Sequence, residues 1–335
     1  MQTPQHIIIS RTDNIGDVVL TLPMAALIKQ HWPSCKISFL ARNYVADVIN
    51  ACPDVDDFIS WDTLQKLPGK HASEHLSGAD TLIHAFPRKQ IAKLAKMAKI
   101  KNRIGTSHRL YHWLTCNRKV NFSRKKSDQH EAQLNLKLLA PLGLPTQASL
   151  VELINLTHLN KATTQPEAVQ ALLSDKKFNL VLHPLTNGNT KEWPLEKFAA
   201  LINLLPSEKY NCIITGSVGE LNRLEPWLAT LPGVTNGVGK LTLAQFVNLL
   251  GQVNGVVVNS TGPLHIAAAL GTPVLGLFPA EKGKDPGRWG PLGKHASFIE
   301  AQICSACRQL KGDCQCMQSI TPKSVAKVVN TWLTL

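Results

Sequence analysis

The sequence predicts an α/β protein of two doubly wound, Rossmann-like parallel domains facing a central cleft. Three observations lead there. Short apolar runs alternate with helical stretches from His6 to about Ala140. The alternation weakens between Leu144 and about Lys177, then restarts at Phe178. The stretch from Gly255 to Phe278 reads as one complete strand–turn–helix–strand unit, the building block of a parallel sheet. The expected division is an N-terminal domain over 1–160, a second domain over 161–320, and a last helix over 321–335 that packs back on the first domain.

The totals agree with this class. A chain of 335 residues can bury two cores, and 44% hydrophobic against 18% charged residues is a globular composition. No apolar run reaches the roughly 18 residues of a membrane span. The N-terminus enters a strand at once, without a basic region and apolar signal core, so a cytoplasmic protein is expected. In that setting the eight cysteines are expected as reduced thiols. The net charge of +13, from 36 Lys+Arg against 23 Asp+Glu, calls for an anionic partner: nucleic acid, an anionic membrane or a phosphorylated substrate.

In chain order, His6–Ser10 is a strand and Arg11–Asp17 a polar loop with Gly16. A helix runs from Asp17 to His31 with a kink at Pro23. Lys36–Ala41, Asp57–Trp61, Thr81–Ala85 and Arg103–Thr106 are strands, with helices at Val45–Asn50, Arg88–Lys99 and Glu131–Ala140. In the second half the strands are Phe178–His183, Asn211–Thr215, Val234–Val238, Val256–Val258 and Val274–Phe278. Helices are expected at Leu195–Leu205, Gly219–Leu228, Ala244–Val253, Leu264–Leu270 and Lys323–Leu333, the last behind a Thr321-Pro322 cap.

The candidate chemistry lies in the loops that follow strands, where open α/β sheets place their ligands. After Val256–Val258, Ser260-Thr261-Gly262 opens a helix whose free N–H groups and dipole suit a diphosphate, with His265 behind them. After Phe178–His183, Thr186, Asn187 and Thr190 are small donors for phosphate oxygens, and Lys191 can neutralise developing charge. Gly216 and Glu220 follow a third strand, Glu220 suited either to a ribose or to a helix N-terminus. In the first loop Asp17 reads first as a carboxylate favoured by a helix dipole and second as a general base, with Arg11 and Asn14 beside it as candidate residues for binding the acceptor of a transfer. The helix at Arg88–Lys99 presents Lys89, Lys93 and Lys96, which read first as the solvated face of a core-packed helix and, with Arg103, alternatively as a surface for anionic lipid or phosphorylated glycolipid; no nucleic-acid module is visible. Asp54-Val-Asp-Asp57 reads as a surface turn. Cys304, Cys307, Cys314 and Cys316 crowd one segment, the first pair with zinc-knuckle spacing, and simple thiols remain the preferred reading.

With these residues in view, the chain resembles glycosyltransferase family 9, the bacterial lipopolysaccharide heptosyltransferases. The matching segments are Arg11–Pro23 with Gly16-Asp17, His130-Glu131, Lys191-Glu-Trp193-Pro194, Asn259–Gly271 with Thr261-Gly-Pro-Leu-His265, and Cys316-Met317 with Ile320. The resemblance implies a GT-B fold, with acceptor bound by the first domain and nucleotide sugar by the second. It implies an inverting transfer that needs no metal or other cofactor, on the inner face of the cytoplasmic membrane, by a peripheral monomer. It places Asp17 at the catalytic base, Lys191 at the donor phosphates and Thr261-Gly262 at the diphosphate. Ser260 departs from the family, which usually has Asp there, so the sugar is less defined than the diphosphate. Two rivals follow: a nucleotide-sugar epimerase of the same architecture, and a member that binds glycolipid or nucleotide without catalysis.

Overall fold

The structure, a computed structural model, describes residues 3–186, 188, 190–304 and 315–334. The chain divides into two compact units, Met1–Asn160 and Lys161–Leu335.

The first unit is built on six strands: β1 His6–Ser10, β2 Lys36–Ala41, β3 Asp57–Ser60, β4 Thr81–His84, β5 Asn102–Thr106 and β6 Arg118–Val120. They pair in the order β3-β2-β1-β4-β5-β6, every pair parallel. Ile7, Ile8 and Ile9 are all completely buried, as both faces of a parallel strand must be when helices cover both. The second unit repeats the design with β7 Phe178–His183, β8 Tyr210–Ile214, β9 Thr235–Asn236, β10 Gly255–Asn259, β11 Val274–Phe278 and β12 Ala296–Glu300. Its order is β12-β11-β10-β7-β8-β9, again parallel throughout. In each sheet the order reverses beside the first strand, between β1 and β4 and between β7 and β10. The crevice beyond the carboxyl ends at such a reversal is where open sheets hold ligands.

Two prolines act differently from the expectation. Instead of one helix kinked at Pro23, there are two, Ile15–Val19 and Leu22–His31, and Pro23 lies in the first turn of the second. There its missing N–H costs nothing. The break is held by Thr21, whose hydroxyl donates to the Asp17 carbonyl at 2.8 Å. Pro141 sits inside a tight 3-10 turn, Lys137–Leu142, that follows helix Glu131–Leu136 and ends at Gly143 with φ 75°.

The segment between the domains is more ordered than its composition suggests. It carries helix Leu150–Leu156, started by a reciprocal cap between Ser149 and Glu152, and the short helix Glu167–Gln170. The C-terminal helix, Pro322–Thr331, is capped by Thr321 as expected, its side chain accepting from the Ser324 N–H. The helix lies against Leu195–Leu204 inside the second unit, and Tyr210 donates to Asn330 at 2.8 Å. The Trp332 ring beyond it rests on Gly255, where a Cβ would come within 2.5 Å. Only glycine admits that approach.

Candidate active site

In the first unit the loop after β1 is organised by Arg11. The residue is 3% exposed and its guanidinium meets three carboxylates: Asp13 at 2.7 Å, Glu131 at 3.0 Å and Asp17 in a short contact. Nη1 also donates to Asn135 at 3.1 Å. Arg124 reaches the same Glu131 oxygen at 2.9 Å and the same Asn135 oxygen at 2.8 Å. Burial works against the charge on Arg11, but Asp13, Asp17 and Glu131 outweigh it and hold the guanidinium more firmly protonated than usual. Burial, with the Asp17 charge adding to it, pushes Asp13 up to about 6 despite the Arg11 contact. Asp17 lies in the first turn of Ile15–Val19, whose N-cap is Asn14. One carboxylate oxygen faces Arg11 and the other faces the Asn14 amide at 3.4 Å. The side chain keeps 13% exposure, so a hydroxyl can reach it.

The basic residues divide by employment. Arg11 is enclosed by its own carboxylates rather than offered to a ligand. Arg103 donates to the carbonyls of Thr115 and Ile100, tying down the end of helix Leu110–Thr115. Lys89, Lys93 and Lys96 stand exposed on helix Lys89–Met97, although Lys96 also donates to the Leu114 carbonyl at 3.0 Å. Beside that helix, Leu110–Thr115 exposes Leu110 (89%), Trp113 (61%) and Leu114 (76%). Lys119 stands 4.9 Å from the centre of the Trp113 ring. This apolar, basic-rimmed surface escaped the sequence reading, because six residues carry no helical period worth trusting. Asp56 of the acidic turn is spent on Lys29 and on the Ile37 N–H, as a surface turn would spend it.

In the second unit the loops after β7 and β10 meet. Asn259, the last residue of β10, is completely buried; its Oδ1 accepts from the Trp193 N–H at 2.9 Å and its Nδ2 donates to the Pro184 carbonyl at 2.7 Å. It therefore ties the loop 184–193 to the turn 260–262. Glu192 shapes the same loop, accepting from the N–H and hydroxyl of Thr186 while Arg223 grips both its oxygens. Neither Asn259 nor Glu192 stood out as a site residue from sequence. A buried asparagine at the carboxyl end of a strand was the available signal.

Thr186 thus spends its hydroxyl inside the loop. Thr190 is different: its hydroxyl is buried and has no hydrogen-bond partner among the described residues. Half-buried Lys191 makes no hydrogen bond or ion pair among them either. Asn187 lies outside the described residues, as do Cys307 and Cys314.

The helix after β10 is Gly262–Ala269, with Thr261 at its N-cap and Pro263 in its first turn. No side chain caps it; the Thr261 hydroxyl instead donates to the Asn259 carbonyl at 3.2 Å. Pro263 has no N–H and the Leu264 N–H donates to the Thr261 carbonyl at 3.1 Å, which leaves the Gly262 N–H as the leading donor of the helix. Ser260 continues the sheet through its N–H to the Leu277 carbonyl at 3.0 Å, and His265 is buried behind the turn. Glu220 caps Ser217 reciprocally, accepting at 2.6 Å from its N–H and at 2.8 Å from its hydroxyl, which is the helix-start reading of that residue. Gly216 is needed for packing, since a Cβ would meet Leu224 at 2.8 Å.

Comparison with known proteins fits this arrangement. The profile of glycosyltransferase family 9 (heptosyltransferase) matches residues 76–317. The lipopolysaccharide core heptosyltransferase OpsX of Haemophilus influenzae is 24% identical over 286 residues, covering 83% of this chain and 80% of that protein. Lipopolysaccharide heptosyltransferase 3 of Escherichia coli is 22% identical, covering 79% of this chain and 81% of its own. Among solved structures, the glycosyl transferase family 9 protein of Veillonella parvula superposes with a TM-score of 0.79 at 19% identity, over 98% of this chain and 97% of that one. The E. coli ADP-heptose heptosyltransferase II follows at 0.76 and 18%, over 98% of each chain. These superpositions establish the GT-B fold.

Proposed function

The chain belongs to glycosyltransferase family 9, the heptosyltransferases, and from that premise we propose that it moves a heptose from ADP-heptose to a hydroxyl of a lipid A-linked lipopolysaccharide core. The relatives' names carry the sugar and the acceptor. The observation in this chain that supports a nucleoside diphosphate is the uncapped helix start at Gly262, at a sheet reversal, in the same unit as the uncommitted cation Lys191.

In the proposed reaction the first unit binds acceptor and the second binds donor. Asp17 accepts the proton of the acceptor hydroxyl as its oxygen attacks the anomeric carbon. Arg11 keeps the carboxylate oriented. The bond to the diphosphate breaks on the opposite face, so the anomeric configuration inverts. The departing diphosphate gains charge, and the Gly262 helix end and the Lys191 ammonium stabilise it. Thr190 offers a hydroxyl donor in the same loop. These groups supply the positive potential from the protein itself.

A peripheral seat on the cytoplasmic membrane belongs to the same proposal. No helix among the described residues is long and apolar enough to cross a membrane. The exposed Leu110, Trp113 and Leu114, with Lys89, Lys93 and Lys119 near them in the fold, have the composition of an interfacial anchor.

The test is nucleoside diphosphate release from ADP-heptose and other nucleotide sugars, with and without core acceptor. Release from ADP-heptose that requires acceptor supports the reading. Sugar isomerisation without acceptor points to the epimerase, and binding without turnover to a non-catalytic member. Because Ser260 replaces the usual aspartate, release from another nucleotide sugar with acceptor would retain the transferase and replace the heptose.

A further inference from the structure

Three titratable side chains meet in the first unit away from Arg11 and Asp17. His84 is the last residue of β4, His112 lies on helix Leu110–Thr115, and Cys116 follows that helix directly. One nitrogen of each histidine and the cysteine sulfur all lie within 4.8 Å of one another, and all three residues are buried. We propose that His84, His112 and Cys116 form a structural site for a zinc ion.

Three features of the cluster support this. First, its hydrogen bonding is incomplete in a place where incompleteness is costly. His84 is 1% exposed, and neither ring nitrogen has a hydrogen-bond partner among the described residues; His112 is wholly buried, and its Nε2 has none among them. Buried imidazole nitrogens are satisfied in nearly all folded proteins, so three orphans in one cluster call for a bound group. Ser10, the register partner of His84 on β1, has a buried hydroxyl that also lacks a partner among the described residues.

Second, His112 is already oriented as a metal ligand. Its Nδ1 donates to the Thr106 carbonyl at 2.9 Å, which places the proton there and turns the Nε2 lone pair outward from that bond. A backbone carbonyl holding the far nitrogen is the usual support of a zinc-bound histidine. Third, the strand beneath makes room. A Cβ at Gly105 of β5 would stand 2.6 Å from His112 Nδ1 and 3.0 Å from Cys116 Sγ, so the cluster packs only against glycine.

The donor set selects the ion. Two imidazoles and one thiolate suit zinc, which takes nitrogen and sulfur ligands tetrahedrally, rather than calcium or magnesium, which take oxygen. Binding forms one Zn–S and two Zn–N bonds and releases the Cys116 proton to solvent; a water or the Ser10 hydroxyl completes the fourth position. The ion would join the end of β4 to a helix of six residues, too short to hold itself.

The test uses the full chain, stripped with a chelator under reducing conditions, reloaded with zinc sulfate and desalted. Metal content is compared with that of His84→Leu and Cys116→Ala. Each variant is expected to retain one equivalent less than the parent; any ion on the separate Cys304–Cys316 segment cancels in the difference. Thermal unfolding supplies a second readout. If nothing binds, replacing an orphaned buried imidazole by leucine leaves Tm unchanged or raises it. If zinc binds, chelator lowers the Tm of the parent and leaves that of His84→Leu where it was. His112→Asn keeps a side-chain amide to donate to Thr106 but removes the ring Nε2, and serves if His84→Leu does not fold. Equal metal content in parent and variants, or a Tm difference that ignores chelator, overturns the site in favour of an ion-free polar core.

Discussion

Arg11 and Glu131 meet 3.0 Å apart although 120 residues separate them. The contact joins the loop after β1 to the start of helix Glu131–Leu136, and it is dry: Arg11 is 3% exposed and Glu131 1%. Glu131 also holds Arg124, so one carboxylate keeps two guanidinium groups in place. Asp17 is oriented at the other end of this network.

Removing Glu131 therefore takes from Arg11 and Arg124 the one buried carboxylate they share, leaving Arg11 with Asp13 and Asp17. Glu131→Ala is expected to cost about 3–5 kcal/mol of stability. Urea unfolding measures this. Activity at a temperature where the variant remains folded should still fall, because Arg11 is then free to shift away from Asp17.

Asp13 gives the network a pH dependence. Burial first, and the Asp17 charge second, raise its pKa from 3.8 to about 6. Between those values the folded protein holds a proton that the unfolded chain has released. The contribution of Asp13 to stability is thus complete below 3.8 and is lost as pH rises through about 6. Asp13→Asn is expected to flatten the stability profile across this window. A profile with the same slope in parent and variant would remove Asp13 as its source.

The catalytic assignments separate by parameter. Asp17→Asn is expected to lower kcat by about 10²–10⁴ while nucleotide binding, followed by calorimetry, stays as it was. Lys191→Met should lower kcat by about 10²–10³ and also weaken nucleoside diphosphate binding, since the ammonium meets a charge present in donor and product alike. Near-parental turnover in Asp17→Asn would assign the base elsewhere.

The membrane surface can be tested without substrate. Trp113→Ser with Leu114→Ser should abolish co-sedimentation with vesicles of anionic phospholipid. Lys93→Gln should weaken it roughly fivefold, an effect that salt erases. Neither change touches Asp17 or Lys191, so turnover on a soluble, de-acylated acceptor should remain.

Much of the fold was legible for one reason. β1, β2, β7 and β11 are mostly apolar and buried through their middles, and their observed bounds coincide with the expected ones. β6 and β12 were missed because edge strands lack that pattern; Phe298 in β12 is 50% exposed. Candidates for the site stood out in the sequence where a residue type announces chemistry, as at Asp17, Lys191 and Gly262. It was not legible where a polar residue serves a distant partner. Arg11 looked like a hand for the acceptor, and Arg103 likewise, because a sequence does not show which carboxylate or carbonyl a guanidinium will find. Asn259 and Glu192 hid among polar neighbours for the same reason.

The two sheets have one and the same connectivity. Numbered from its own first strand, each reads 3-2-1-4-5-6, and each carries candidate residues in the loop after its strand 1. The halves are thus interchangeable as frameworks and opposite in polarity. After its first strand one half gathers Asp13 and Asp17, and the other gathers Thr186, Thr190 and Lys191. A bond that is made by withdrawing a proton and broken by shedding an anion asks for a sink for protons at one end and a sink for negative charge at the other. In the proposed reaction, one scaffold repeated with a differently charged loop supplies both.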